Sequence, residues 1–127
     1  MFSHVMVGSN DIHASQAFYD ATLGALGAGA GRSDPMGRIF YINDGGLFMV
    51  TMPIDGAPAC HANGGTIGFR AASQAAADAW HAAGLANGGT ECEDPPGVRE
   101  GAFGKLYLAY LRDPAGNKLC AMYRVPA

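Results

Sequence analysis

The chain has 127 residues, 49% hydrophobic and 15% charged, which describes one globular domain with a real core rather than a disordered chain. A formal charge of −3 with no run of Lys or Arg argues against a nucleic-acid surface. No stretch approaches the ~18 apolar residues of a membrane span. Cys60, Cys92 and Cys120 are odd in number and lack C-x-x-C spacing, and Phe2-Ser3-His4-Val5 shows neither a basic region nor a signal-type apolar run. The expectation is a cytoplasmic protein with reduced thiols.

In chain order, Phe2–Gly8 alternates as a strand, with Val5 and Val7 on one face and Phe2, His4 and Met6 on the other. Asp11 is the N-cap of a helix from Ile12 to about Leu23, with Ala14, Ala17, Phe18, Ala21 and Ala25 at helical spacing and Gly24 as its stop. Leu26–Ser33 is glycine-rich and reads as a weak edge strand with a loop. Arg38–Asn43 and Leu47–Met52 are strands joined by Asp44-Gly45, a two-residue hairpin signal. A connector follows, then a strand at Thr66–Arg70. Ser73 caps a second helix reaching about Ala83, with Ala76, Ala79, Trp80 and Ala83 on one face. A short strand near Thr90–Cys92 and a loop over Glu93–Gly104 lead to the last hairpin, which turns through Asp113-Pro114-Ala115-Gly116-Asn117.

An offset of 62 lays the second half on the first. His4 falls on Thr66, Val5 on Ile67, Val7 on Phe69, Asp11 on Ser73, Phe18 on Trp80 and Leu23 on Leu85. Strand, cap, helix face and helix end coincide without a gap, and the two hairpins then correspond. The predicted fold is α+β, a single domain over 1–127 built from two tandem βαβββ modules, about 1–56 and about 63–127.

His4 on the first strand, Phe18-Tyr19 and Leu23-Gly24 around the first helix, and Asp113-Pro114-Ala115-Gly116-Asn117-Lys118-Leu119 before the last strand carry a resemblance. Together they resemble the glyoxalase / bleomycin-resistance / extradiol-dioxygenase group, the vicinal oxygen chelate superfamily, over essentially the whole chain. The resemblance implies modules whose mixed sheet curls around a concave cleft, a tendency to form homodimers and, in metal-dependent members, ligands drawn from four strands.

Turn lengths give the hairpin registers. A two-residue loop pairs Asn43 with Gly46 and hence Tyr41 with Phe48, while pairing Arg112 with Lys118 sets Tyr110 opposite Cys120. The pseudo-twofold set is then His4, Phe48, Thr66 and Cys120. The resemblance implies His, Glu or His, His, and Glu at these positions, and only His4 matches. A catalytic divalent metal needs three or four donors with a place left open, so a metal is disfavoured and no cofactor is expected. The same loss leaves His4 as the available general base.

The reading is a superfamily protein with a degenerate metal site that binds a small organic molecule without metal. The ligand-binding residues are expected to be His4, Tyr41, Phe48, Thr66, Tyr110, Cys120 and Met122. The alternative is a lyase or isomerase of the lactoylglutathione-lyase type, with altered metal ligands or His4 as base. Arg70 and Arg124 share the proposed inner faces and could meet an anionic group, although strand-end arginines more often sit in solvent. Gly27–Gly31 and Gly104-Lys105 have neither dinucleotide-binding nor P-loop spacing.

Overall fold

A computed structural model describes residues 1–127. Two mixed sheets, each with a helix across one face, share one core. The first module is β1 (Val5–Gly8), α1 (Ile12–Ala25), β2 (Arg32–Ser33), β3 (Ile39–Asn43) and β4 (Gly46–Thr51). The second is β5 (Ile67–Arg70), α2 (Gln74–Ala86), β6 (Thr90–Glu91), β7 (Gly97–Gly101), β8 (Gly104–Arg112) and β9 (Lys118–Arg124). The strand orders are β1-β4-β3-β2 and β5-β9-β8-β6, with β7 paired to β8. The βαβββ repeat stands as expected, but its strands form two separate sheets without strong curl rather than one curled sheet. The segment read as a loop over Glu93–Gly104 contains a strand, β7, which extends β8 into a hairpin arm.

The helices start where cap chemistry puts them. Asp11 accepts from the amides of His13 and Ala14, and Ser73 accepts from Ala76. They run past the expected ends, the Gly24 stop in α1 and about Ala83 in α2. Gly24 and Gly84 lie inside helices, and the chain turns with positive φ only at Gly27 and Gly88. The stripe that α1 buries is Ser15, Phe18, Tyr19, Thr22 and Leu23, not the alanines whose spacing suggested a face. Larger side chains bury more apolar area per position, so Phe18 and Tyr19 set the rotation of the helix. In α2 the buried residues are Ala77, Trp80 and Gly84. A Cβ on Gly84 would overlap Leu111 and crowd Phe18 and Thr22, so its missing side chain lets α1 approach α2 and β8.

Both sheets turn one face to the helices. Val5, Val7, Ile39, Tyr41, Phe48 and Val50 do so in the first; Ile67, Phe69, Ala109, Leu111, Leu119 and Ala121 do so in the second. Phe48 bridges them, its ring centroid 4.9 Å from Tyr19 and 5.2 Å from Phe69. The modules therefore fold onto a common core rather than as two independent units.

Candidate functional site

The hairpin registers are those the turns dictate: Tyr41 pairs with Phe48, Asn43 with Gly46, Tyr110 with Cys120 and Arg112 with Lys118. The expected grouping of faces is not. The parallel pairing of β1 with β4 sets Val5, not His4, beside Phe48. Strand alternation then puts His4 on the side of Leu47 and Met49, while Phe48 and Tyr41 turn to α1. In the second module Gly68 pairs with Cys120, so the β1–β4 residue equivalent to Cys120 is Met49, which pairs with Met6. A five-residue turn in one hairpin and a two-residue turn in the other shift the equivalence by one position.

Six of the seven expected site residues thus fall on two surfaces. His4, Tyr41 and Phe48 come together in a cavity of about 720 Å³ at the seam between the modules, walled also by Leu23, Leu26, Phe69 and Arg70. Tyr110, Cys120 and Met122 lie on the face of the second sheet turned away from α2. Thr66 is exposed, one residue ahead of β5, and is not part of the cavity wall.

The cavity has a structural cause. At one end of the seam the Asp113–Asn117 turn reaches into the first module. Tyr19 Oη donates to Asp113 Oδ2 at 2.5 Å, and Asn117 Nδ2 donates to the Gly8 carbonyl at 2.8 Å and to Asp113 at 2.9 Å. These groups are buried and fill the space. At the other end the repeat places Arg70 where Gly8 stood and Asp44 in the matching turn. Here the contact is only an exposed ion pair, Arg70 Nη1 to Asp44 Oδ2 at 3.2 Å. The two-residue Asp44-Gly45 turn is too short to plug the seam. Within the wall, Tyr41 donates to Asp20 at 2.7 Å, and burial together with that carboxylate raises its phenol far above the ordinary range.

A metal does not fit these residues. His4 is exposed with Nδ1 in a 2.8 Å hydrogen bond with Ser3 Oγ. Phe48 has no donor and faces the core, and Thr66 offers a neutral hydroxyl. Burial pushes the Cys120 thiol up to about 11, so it stays protonated rather than supplying thiolate. No group of three or more His, Cys, Asp or Glu side chains is gathered where it could hold an ion.

Two residues of consequence escaped the sequence reading. Phe69 closes the cavity floor against Phe48, and was legible only as a strand residue. Arg99 lies in the segment read as a loop, yet its guanidinium sits 5.7 Å over the Tyr110 ring, with Lys118 Nζ at 5.2 Å.

The family model "Glyoxalase/Bleomycin resistance protein/Dioxygenase superfamily" matches residues 1–121. A crystal structure of a glyoxalase/bleomycin resistance protein from Albidiferax ferrireducens T118 is 61% identical with a TM-score of 0.94, covering 98% of this chain and 99% of that one. A family enzyme from Burkholderia phytofirmans PsJN (19% identity, TM-score 0.70, 94% and 95% covered) shares the fold. So does a lactoylglutathione lyase from Agrobacterium tumefaciens (22%, 0.63, 96% and 92%). No functionally curated protein matches the chain.

Proposed function

Because the chain belongs to the glyoxalase/bleomycin resistance protein/dioxygenase superfamily, yet lacks a gathered set of metal donors, we propose that it binds a small organic molecule without a metal. The observation that carries this is the seam cavity, whose volume suits a drug-sized molecule and whose wall is mostly apolar with a few polar groups at the rim. Phe48, Phe69, Leu23 and Leu26 would take the apolar body of the ligand, with His4, Tyr41, Asn43 and Arg70 able to orient it. No residue in the wall is arranged as nucleophile and base, so the binding reading is preferred to a lyase or isomerase.

A homodimer belongs to the same proposal. The outer face of the first sheet carries Met6 and Ile42, exposed, beside partly buried Phe40, Leu47 and Met49, and a second copy would cover them. Sedimentation equilibrium would report twice the 13.1 kDa chain mass.

The decisive experiment is calorimetric titration of chelator-stripped protein, first with Zn²⁺ and Ni²⁺, then with a panel of aromatic small molecules. Organic binding weakened by Phe69→Ala, with no stoichiometric metal binding, is the expected result. Stoichiometric metal uptake lost in His4→Ala would overturn the reading and bring the lyase forward.

A further inference from the structure

Each sheet ends, at the seam, on a strand with one free edge: β1 pairs only with β4, and β5 only with β9. The repeat makes these edges equivalent. Ser9 N–H donates to the Thr51 carbonyl at 2.8 Å, and its counterpart Ala71 N–H donates to the Met122 carbonyl at 2.8 Å. All peptide bonds are trans, so the carbonyl of the preceding residue points the opposite way, into the seam. That carbonyl belongs to Gly8 in one strand and to Arg70 in the other. Alternation along a parallel ladder turns the N–H of Arg70 and both main-chain groups of Gly68 to the same side.

The two edges differ in what meets them. At the closed corner the carboxamide of Asn117 crosses the seam and donates Nδ2 to the Gly8 carbonyl at 2.8 Å. At the open corner the Asp44-Gly45 turn has no residue in that place. The Arg70 carbonyl and the edge groups of Gly68 there have no protein partner. Gly68, Phe69 and Arg70 all line the seam cavity, and a Cβ on Gly68 would meet nothing within 4 Å. Glycine inside a strand often marks a place where a ligand or another backbone comes close. A free row of N–H and C=O groups beside an apolar pocket is how a sheet edge takes up an extended chain: main-chain bonds hold it, and the pocket receives a side chain. Phe48 and Phe69, with ring centroids 5.2 Å apart, supply the pocket.

We infer that the molecule bound in the seam cavity is a short apolar peptide, whose backbone adds to the free edge of β5 at Gly68 and Arg70 and whose side chain lies on Phe48 and Phe69. The inference rests on the cavity being the binding site and adds the chemistry of what it holds. Asn117 is the precedent within the molecule, because its amide N–H occupies the carbonyl that corresponds to Arg70. A ligand N–H on the Arg70 or Gly68 carbonyl, with a ligand C=O on the Gly68 N–H, would complete the second corner as Asn117 completes the first.

The test is NMR titration of the labelled protein with three probes: N-acetylphenylalanine methylamide, the corresponding methyl ester, which lacks one N–H donor, and 3-phenylpropanol, which has the aromatic body without an amide. The methylamide should bind about tenfold more tightly than the ester. Amide hydrogen exchange gives a second readout. In the free protein Gly68 and Arg70 should exchange fast and Phe69 and Ala71 slowly, and the methylamide should slow Gly68 and Arg70. Gly68→Pro removes the edge N–H but no bond to β9, so it should weaken the methylamide and leave 3-phenylpropanol unchanged. Gly68→Ala keeps the N–H and should bind as the wild type does. The probe comparison and the exchange rates on the unaltered protein decide the matter even where the proline variant does not fold. If 3-phenylpropanol binds in the cavity while methylamide and ester bind alike, the cavity stands as a binding site and the peptide assignment is overturned. If none of the three binds, both fall.

Discussion

The Tyr19 hydroxyl donates to Asp113 Oδ2 at 2.5 Å, joining α1 of the first module to the last hairpin of the second across 94 residues of chain. Asp113 is nearly fully buried and also accepts from the amides of Ala115 and Asn117 and from Asn117 Nδ2. A buried carboxylate is tolerable only when its lone pairs are occupied, and here they are.

Tyr19→Phe removes one donor and leaves the others. A hydrogen bond to a charged group is worth about 1.5–3 kcal/mol, so a loss of about 2 kcal/mol in unfolding free energy is expected from urea denaturation. The single Trp80, fully buried in the core, gives the fluorescence signal. Tyr19→Phe and Asn117→Ala should be non-additive in a double-mutant cycle, because both serve the same carboxylate.

Two helical glycines should respond to alanine with opposite signs. At Gly24 of α1 nothing lies within 4 Å of an added Cβ, so Gly24→Ala should stabilise by about 0.5–1 kcal/mol through helix propensity. At Gly84 the same propensity gain is outweighed, since the methyl would meet Leu111, Phe18 and Thr22 in a packed core. Overpacking costs about 1–3 kcal/mol, so Gly84→Ala should lower the melting temperature while Gly24→Ala raises it.

Cys120 sets a pH dependence of stability. Its thiol is pushed up to about 11 by burial, against 9.0 for the free side chain, so between those values the unfolded chain releases a proton that the native protein keeps. The contribution is present in full below pH 9 and is lost as pH rises through 11. Relative to the Cys120→Ala variant, the wild type should therefore lose stability over that window. Alkylation at pH 8 should modify exposed Cys60 well before buried Cys120, as mass spectrometry would show.

What could be read from the sequence was what local chemistry dictates. Asp11 and Ser73 cap the helices, and both hairpin registers follow from their turns. The offset of 62 carries β1 onto β5 and the start of α1 onto that of α2 without error. Non-local pairing was less legible. The parallel register of β1 against β4 depends on which face meets Tyr19, and a shift of one residue moved Phe48 and Tyr41 from the expected concave cleft face to the face that meets α1. The sequence reading placed Arg70 and Arg124 on shared inner faces, but Arg99, Arg112 and Lys118 join them only through the pairing of β7, β8 and β9, which no local pattern announces.

A repeated module offers two equal corners where its halves join, and the length of a turn decides what becomes of each. The five-residue Asp113–Asn117 turn makes its corner a lock, and the two-residue Asp44-Gly45 turn leaves the other as a doorway. The size of the chamber is then governed less by the residues lining it than by three residues of loop. Lengthening a surface turn costs little free energy, so the volume of this cavity can change through one turn while the core stays as it is.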